Sequence, residues 1–339
     1  MVTIKDVALR AGVSASTVSR ALSGKIPVDP ATRDRVLQAV EELGYRPNVI
    51  AQGLKFGRSQ TIGLIIPSIR NLVFPDAVQG ISQVARERGY NVILCDSEED
   101  PELERELVDN LHRRLVDGLI LSTARGNGEH IEALRKAGCP VVLLLRHLGA
   151  SVDAVIADNY QGGQLAGNFL ADQGFRKLAI VSGPRDLDLF QQRFQGFVDA
   201  LKEADLVVPE PMIVQATSAW QESYKGMLAL LDRGSVPEAV FATSDPQALG
   251  VMKAIRERGL RVPDDISVLG FDNLEHSSLM DPPLTTISQP FFEMGRRAAQ
   301  RLFELQVAKK PLPPNVEKLP VELVVRDSVR ITTETGVRV

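Results

Sequence analysis

A chain of 339 residues with 44% hydrophobic and 24% charged residues is too long for one small core and allows two or three globular domains. Its two cysteines, Cys95 and Cys139, exclude a disulfide framework and read as buried thiols of a reducing compartment. Net charge is −4, but residues 1–60 hold nine Lys and Arg against five Asp and Glu, so a +4 head precedes a −8 remainder. A basic head on an acidic body suits a protein that touches phosphate with one end only.

The first elements are helical. Ile4, Val7, Ala8 and Ala11 share one helical face, Gly12 interrupts it, and Ser14 is placed to cap a second helix carrying Val18 and Leu22. Two short helices across a Gly-containing turn form a helix-turn-helix, whose second helix enters the DNA major groove. A third helix is expected from Pro30, with Val36, Leu37, Val40 and Leu43 inward, ending at Gly44. Arg20, on the second helix, is the candidate base reader, since arginine to guanine is the commonest specific major-groove contact. Pro47 closes this head. The stretch Asn48–Leu54 is too short to be a stable helix alone, and Gly53 weakens it by about 1 kcal/mol. It is expected to fold only when something docks it.

From Thr61 strands alternate with helices. Strands are expected at 61–67, 90–96, 116–122, 141–145 and 154–157, with helices near 75–88, 103–113 and 129–137 between them. The alternation restarts with helices at 160–173, 193–204, 222–231 and 247–258 and strands at 177–182, 239–242 and 266–270. Helix 291–307, a Pro-rich turn at 311–314 and strand 321–325 follow. Continuous apolar strands with intervening helices imply parallel sheets covered on both faces, and two such blocks imply two doubly wound subdomains. Gly226 and Gly250 sit oddly within helices.

In open α/β sheets ligands lie beyond the carboxyl ends of the strands. Those ends carry Pro67-Ser68, Ser122, Arg146, Asp158, Ser182, Ser244-Asp245 and Asp272-Asn273. Asp158 and Asp272 offer acceptors, Arg193 offers a fork of donors, and Phe74, Phe190 and Trp220 offer ring faces, a mixture that suits a sugar or a nucleobase. Against this stand a helix-cap role for either aspartate, a surface ion pair for Arg193 and a core role for Trp220.

The runs Thr3-Ile4-Lys5-Asp6-Val7-Ala8, Ser16-Thr17-Val18-Ser19-Arg20-Ala21-Leu22 and Leu43-Gly44-Tyr45-Arg46-Pro47-Asn48 resemble the lactose/galactose repressor family. So do Ile62-Gly63-Leu64-Ile65-Ile66-Pro67, Asp158-Asn159, Leu269-Gly270-Phe271-Asp272-Asn273 and Leu284-Thr285-Thr286-Ile287, and their order extends the resemblance over essentially the whole chain. The resemblance implies an N-terminal all-α helix-turn-helix domain (1–46), a hinge helix and linker (47–60) and an α/β periplasmic-binding-protein-like core (61–339) of two doubly wound parallel-sheet subdomains. The first subdomain spans about 61–159 and 291–320, the second about 160–290 and 321–339.

It also implies DNA contacts at Thr3, Ser14, Ala15, Ser16, Thr17, Ser19, Arg20, Lys25, Tyr45, Asn48, Ala51, Leu54 and Lys55, with Leu54 matching the leucine that wedges into the minor groove. For the effector it implies Val73, Phe74, Asp158, Arg193 and Asp272, to which Ser122, Arg146, Phe190, Trp220, Ser244 and Gln289 complete the candidate set. Two departures leave the ligand unnamed. Leu145 stands where many sugar-responsive members have an aspartate, and the segment Asp186-Leu187-Asp188-Leu189-Phe190 offers apolar Leu187, Leu189 and Phe190 where purine-responsive members place polar contacts.

The expected function is a ligand-responsive, cytoplasmic repressor of carbohydrate or related catabolic genes, binding a palindromic operator as a homodimer. The C-terminal segment has no leucine heptad of the kind tetrameric relatives carry. The alternatives are control by a partner protein, or a small-molecule receptor without DNA function. No catalytic residue, metal site or cofactor is expected. The four histidines lack metal-ligand spacing, no phosphate-cradling loop is present, and neither a secretion signal nor a membrane-length apolar run is visible.

Overall fold

The computed structural model describes residues 2–23, 27–45, 59–113, 116–123, 128–149, 151–217 and 219–332. The chain divides into two compact units, Met1–Ser59 and Gln60–Val339.

In the first unit, α1 (Ile4–Ala11), α2 (Ala15–Ser23) and α3 (Pro30–Leu43) close on a small core of Val7, Ala8, Ala11, Val18, Ala21, Val36 and Ala39. Local signals set the boundaries. Gly12 and Gly44 end α1 and α3 at φ 67° and 59°, a conformation that costs glycine no Cβ clash. The Ser14 hydroxyl accepts from the Thr17 amide at 3.1 Å, and Asp29 accepts from Thr32 at 3.1 Å. Leu37 departs from expectation: it is 44% exposed, and Ala39 takes the inward position.

The second unit holds two six-stranded sheets. The first contains β1 (Thr61–Ile66), β2 (Asn91–Asp96), β3 (Leu119–Leu121), β4 (Val141–Leu144), β5 (Asp153–Ala157) and β11 (Val316–Leu319) in the order β11-β5-β4-β3-β1-β2, all parallel. The second contains β6 (Leu178–Ser182), β7 (Ile213–Gln215), β8 (Ala239–Ala242), β9 (Ser267–Asp272), β10 (Thr285–Ser288) and β12 (Glu322–Val324) in the order β12-β10-β9-β8-β6-β7, parallel except for β12. The chain passes between the two subdomains three times: after β5, after β10, and between β11 and β12.

Around the first sheet lie α4 (Phe74–Glu87), α5 (Pro101–Arg113), α6 (Glu129–Lys136) and α11 (Phe291–Val307). Around the second lie α7 (Asn159–Asp172), α8 (Asp188–Glu203), α9 (Trp220–Asp232) and α10 (Asp245–Glu257). Close helix crossings explain several of the helical glycines, whereas Gly226 lies against the Val214 side chain of β7. A Cβ on Gly163 of α7 would stand 2.2 Å from the Arg193 carbonyl of α8, so backbone meets backbone there. Gly250, an oddity in sequence, lets α10 lie against the Trp220 carbonyl of α9, 2.2 Å from where its Cβ would be.

Strands β7, β10 and β11 have no counterpart among the sequence-based strands. The first has only three residues, and Thr-Thr-Ile-Ser and Val-Glu-Lys-Leu are too polar to show a buried period. Strand β2 is expected, but its cover is incomplete: as an edge strand it leaves Ile93 40% and Leu94 38% exposed, and Cys95 is half-buried. Among the described residues no helix is long and apolar enough to cross a membrane, and no cluster of three metal-ligating side chains occurs.

Candidate functional site

Two sets of residues are candidates, one in each unit. In the head, α2 turns Val18 and Ala21 inward, and the same 3.6-residue period leaves Ser16 and Arg20 exposed one turn apart. Ala15, Thr17 and Ser19 are half-buried beside them. The Ser14 hydroxyl lies 2.7 Å from that of Ser16 and 2.9 Å from that of Thr17, so the start of α2 presents a linked hydroxyl cluster. The Thr3 hydroxyl donates to Asp6 at 2.7 Å, closing the first turn of α1, and Tyr45 packs partly on the head's core. Lys25, Asn48, Ala51, Leu54 and Lys55 lie outside the described residues.

In the body, the carboxyl ends of both sheets border a cavity of about 300 Å³. Val73, Phe74, Ser122, Arg146, Phe190, Arg193, Ser244, Asp272 and Gln289 all line it, so nine of the sequence candidates come together. Two do not. Asp158 caps α7, accepting from the Gln161 amide at 3.1 Å, and pairs with Lys318 at 3.6 Å. Its carboxylate is committed to that helix end. Trp220 is 36% exposed at the start of α9, with its ring 6.3 Å from Tyr224, and it is not on the cavity wall.

The polar centre of the cavity is Arg193. It extends from α8, whose close crossing over Gly163 sets its depth. Its guanidinium is 3.8 Å from the Phe271 ring centre. Nε donates to Asn159 at 2.8 Å, and Nη1 donates to the Thr243 carbonyl at 2.6 Å and to Asp272 at 3.4 Å. Gln289 donates to the same Asp272 oxygen at 2.7 Å. Arg193 and Asp272 are both buried, and burial penalises each charged form. The Arg193 guanidinium is pushed down to about 10, chiefly by burial, against the pull of Asp272 and Asp245. The Asp272 carboxyl is pushed up to about 7, again chiefly by burial, with Asp245 adding repulsion and Arg193 opposing. Both partners shift against ionisation because 3.4 Å is long for an ion pair; the attraction does not offset the desolvation.

Backbone strain gathers here too. Glu99, Leu145 and Asp272 line the cavity with φ of 61°, 66° and 126°. L-residues adopt these values at a cost of about 1–3 kcal/mol each, and such residues cluster at ligand sites. The Ser122 hydroxyl, 1% exposed on the same wall, has no hydrogen-bond partner among the described residues.

Sequence reasoning missed several wall and support residues. Leu145, Leu187 and Leu189 line the cavity and make its apolar side. Glu99 lines it and holds Arg146 at 2.7 Å across 47 positions of sequence. Asn159 was visible only as a neighbour of Asp158, yet its amide, rather than the aspartate, holds Arg193. Asp245 is buried behind the wall, accepting from Ser277, Thr286 and the Leu274 amide, and so fixes the loop after Asp272.

A helix-turn-helix head joined in one chain to a two-sheet body with a ligand-sized cavity defines a ligand-responsive DNA-binding regulator. Residues 3–48 match the model of bacterial regulatory proteins of the lacI family, and residues 168–329 match a periplasmic binding protein-like domain. The chain is 36% identical over 330 residues to the ribose operon repressor of Halalkalibacterium halodurans, covering 97% of this chain and 98% of that one. It is 35% identical over 331 residues to catabolite control protein A of Priestia megaterium, covering 97% and 99%. Among solved structures, the lac repressor dimer bound to operator and the anti-inducer ONPF matches with TM-score 0.87 and 31% identity, over 96% of this chain and 98% of that one. The chain belongs to the lacI family of bacterial regulatory proteins, and it is a transcriptional regulator rather than an enzyme.

Proposed function

We propose that this regulator is a homodimeric, cytoplasmic repressor of carbohydrate or related catabolic genes. It holds a palindromic operator through α2, with Arg20 reading a base, and its grip changes when a sugar, sugar derivative or nucleobase fills the cavity of the body. The observation that carries the reading is the buried Arg193–Asp272–Gln289 cluster on the wall of a cavity that Phe74 and Phe190 also line. Arg193 Nη2 takes no part in the bonds to Asn159, Thr243 and Asp272. The Asp272 carboxylate accepts from Gln289, Arg193 and the Asp245 amide, which leaves it a lone pair. A donor beside an acceptor matches a ligand hydroxyl. Phe190, 5.4 Å from the guanidinium, offers a ring face to the same ligand. The name of the ribose operon repressor and the cellobiose complex of the regulator CelR, a structure matching with TM-score 0.75 and 31% identity, support a sugar.

Pairing is supported by apolar side chains that the single chain leaves in water: Ile93 and Leu94 on β2, Leu249 on α10, and Leu279 at 78% exposure. The test is a thermal-shift screen over sugars, polyols, sugar acids and nucleobases, followed by operator binding with and without each hit. A ligand raises the melting point by mass action and changes operator affinity by a factor that operator returns on the ligand. Hits that leave operator affinity unchanged would refute the regulatory role of the cavity.

A further inference from the structure

We propose that this cavity selects an uncharged effector, and that Glu99 is the residue that keeps anions out. The inference rests on the cavity being the effector site and names the charge class of what it takes.

Arginines in a ligand cavity ordinarily invite a phosphate or carboxylate, because the guanidinium fork matches two oxygens. Here two arginines face the cavity, and each is already matched from within the protein. Arg146 follows β4, and its side chain is 10% exposed. Its Nη2 donates to Glu99 Oε1 at 2.7 Å and its Nη1 to Glu99 Oε2 at 3.3 Å, so the fork is filled on both tines. Nη1 also donates to the Thr123 carbonyl at 3.2 Å. Arg193 has Asp272 as its countercharge and Asn159 and Thr243 as further acceptors. The cavity wall therefore holds two cations and two carboxylates.

Glu99 is held where it is by the chain. It has φ 61° in the run Asp96-Ser97-Glu98-Glu99-Asp100, pinned at one end by Asp96 accepting from the Ile69 amide and at the other by Asp100 capping α5. That run adds negative field at the Arg146 wall. The adjoining cavity of about 260 Å³, which shares Arg146, adds Asp186 and Asp188 against one histidine, His147. An anion entering would have to displace Glu99 from Arg146 and would meet these carboxylates. A neutral hydroxylated ring pays neither cost and can pair with the remaining donor of Arg193 and the remaining lone pair of Asp272.

The experiment titrates the full-length protein, free of operator, with inorganic phosphate by calorimetry at constant ionic strength and about pH 8, where Asp272 is ionised. Wild type, Glu99→Gln, Arg146→Gln and the double variant are compared. Glu99→Gln removes the countercharge while keeping the side-chain shape. It should bind phosphate at least about tenfold more tightly than wild type, and the double variant should lose that gain. Arg146→Gln alone should match wild type, because its guanidinium is already masked; this comparison stands even where Glu99→Gln fails to fold. Equal phosphate affinity in wild type and Glu99→Gln would overturn the proposal. So would phosphate binding by wild type that Arg146→Gln abolishes. Neither result depends on an effector being found or on operator release, so this test and the test of the regulatory reading fail separately.

Discussion

Replacing Asp272 with asparagine tests the electrostatics of the cavity directly. The native carboxyl is raised from an ordinary value of 3.8 to about 7, chiefly by burial. Below pH 4 both folded and unfolded chains hold this proton. Between pH 4 and 7 only the folded chain holds it, so the folded state binds more protons and its stability falls as pH rises. Above pH 7 both have lost it, and the loss is complete. A shift of about three units corresponds to about 4 kcal/mol. The substituted asparagine cannot titrate, and it keeps an oxygen for Gln289 and Arg193 to donate to. The stability of Asp272→Asn minus that of wild type should therefore rise from pH 5 to pH 8 by about 3 kcal/mol at most, because about one unit of the shift lies below pH 5. In melting temperature that is on the order of 10 °C. Subtracting the two curves removes Asp6, Asp232, Glu238, Asp265 and Glu293, whose lowered carboxyls titrate with the opposite sign. Asp245, also raised by burial, titrates with Asp272 as a pair, so part of the slope will be shared with it. The assay is urea or thermal denaturation of both proteins at half-unit steps of pH. A difference that is flat from pH 5 to 8, or that falls, would mean Asp272 titrates as an ordinary or a stabilised carboxylate. The reading of a desolvated, weakly paired Arg193–Asp272 couple would then be wrong.

Two further outcomes are expected. Arg20→Ala should cost about 1–3 kcal/mol on operator DNA and much less on random DNA of equal length; an equal loss on both makes Arg20 a phosphate contact. Leu94→Asp, on the exposed edge strand β2, should shift the protein from dimer to monomer in sedimentation at micromolar concentration, whereas wild type sedimenting as a monomer or a tetramer would refute the dimer itself.

Much of the architecture was legible because it depends on neighbours in sequence. The caps at Ser14, Gly12 and Gly44, the amphipathic face of α1 and the apolar runs of β1, β4, β8 and β9 act within a few residues. The strand-end rule also drew Ser122, Arg146, Ser244 and Asp272 into one candidate set, and the cavity contains them all. Where the local signal was weak the reading failed. Leu37 fits the helical period as well as Ala39 does, but the short α1 and α2 cover only the stripe that holds Ala39.

What the sequence determined by itself is the kind of protein: a basic helix-turn-helix head and an acidic α/β body whose strand ends carry polar groups. Only the tertiary structure decided which of those groups share a cavity. Asp158 and Asp272 are both aspartates at strand ends, and periodicity cannot tell them apart. One caps the helix that follows it, while the other faces an arginine 79 positions away. Asn159, Glu99 and the glycine under Arg193 act on residues that sheet order and helix crossings bring near them. The reason is physical: helix caps and periods are short-range, whereas burial and charge pairing depend on which distant segments the packed core sets side by side.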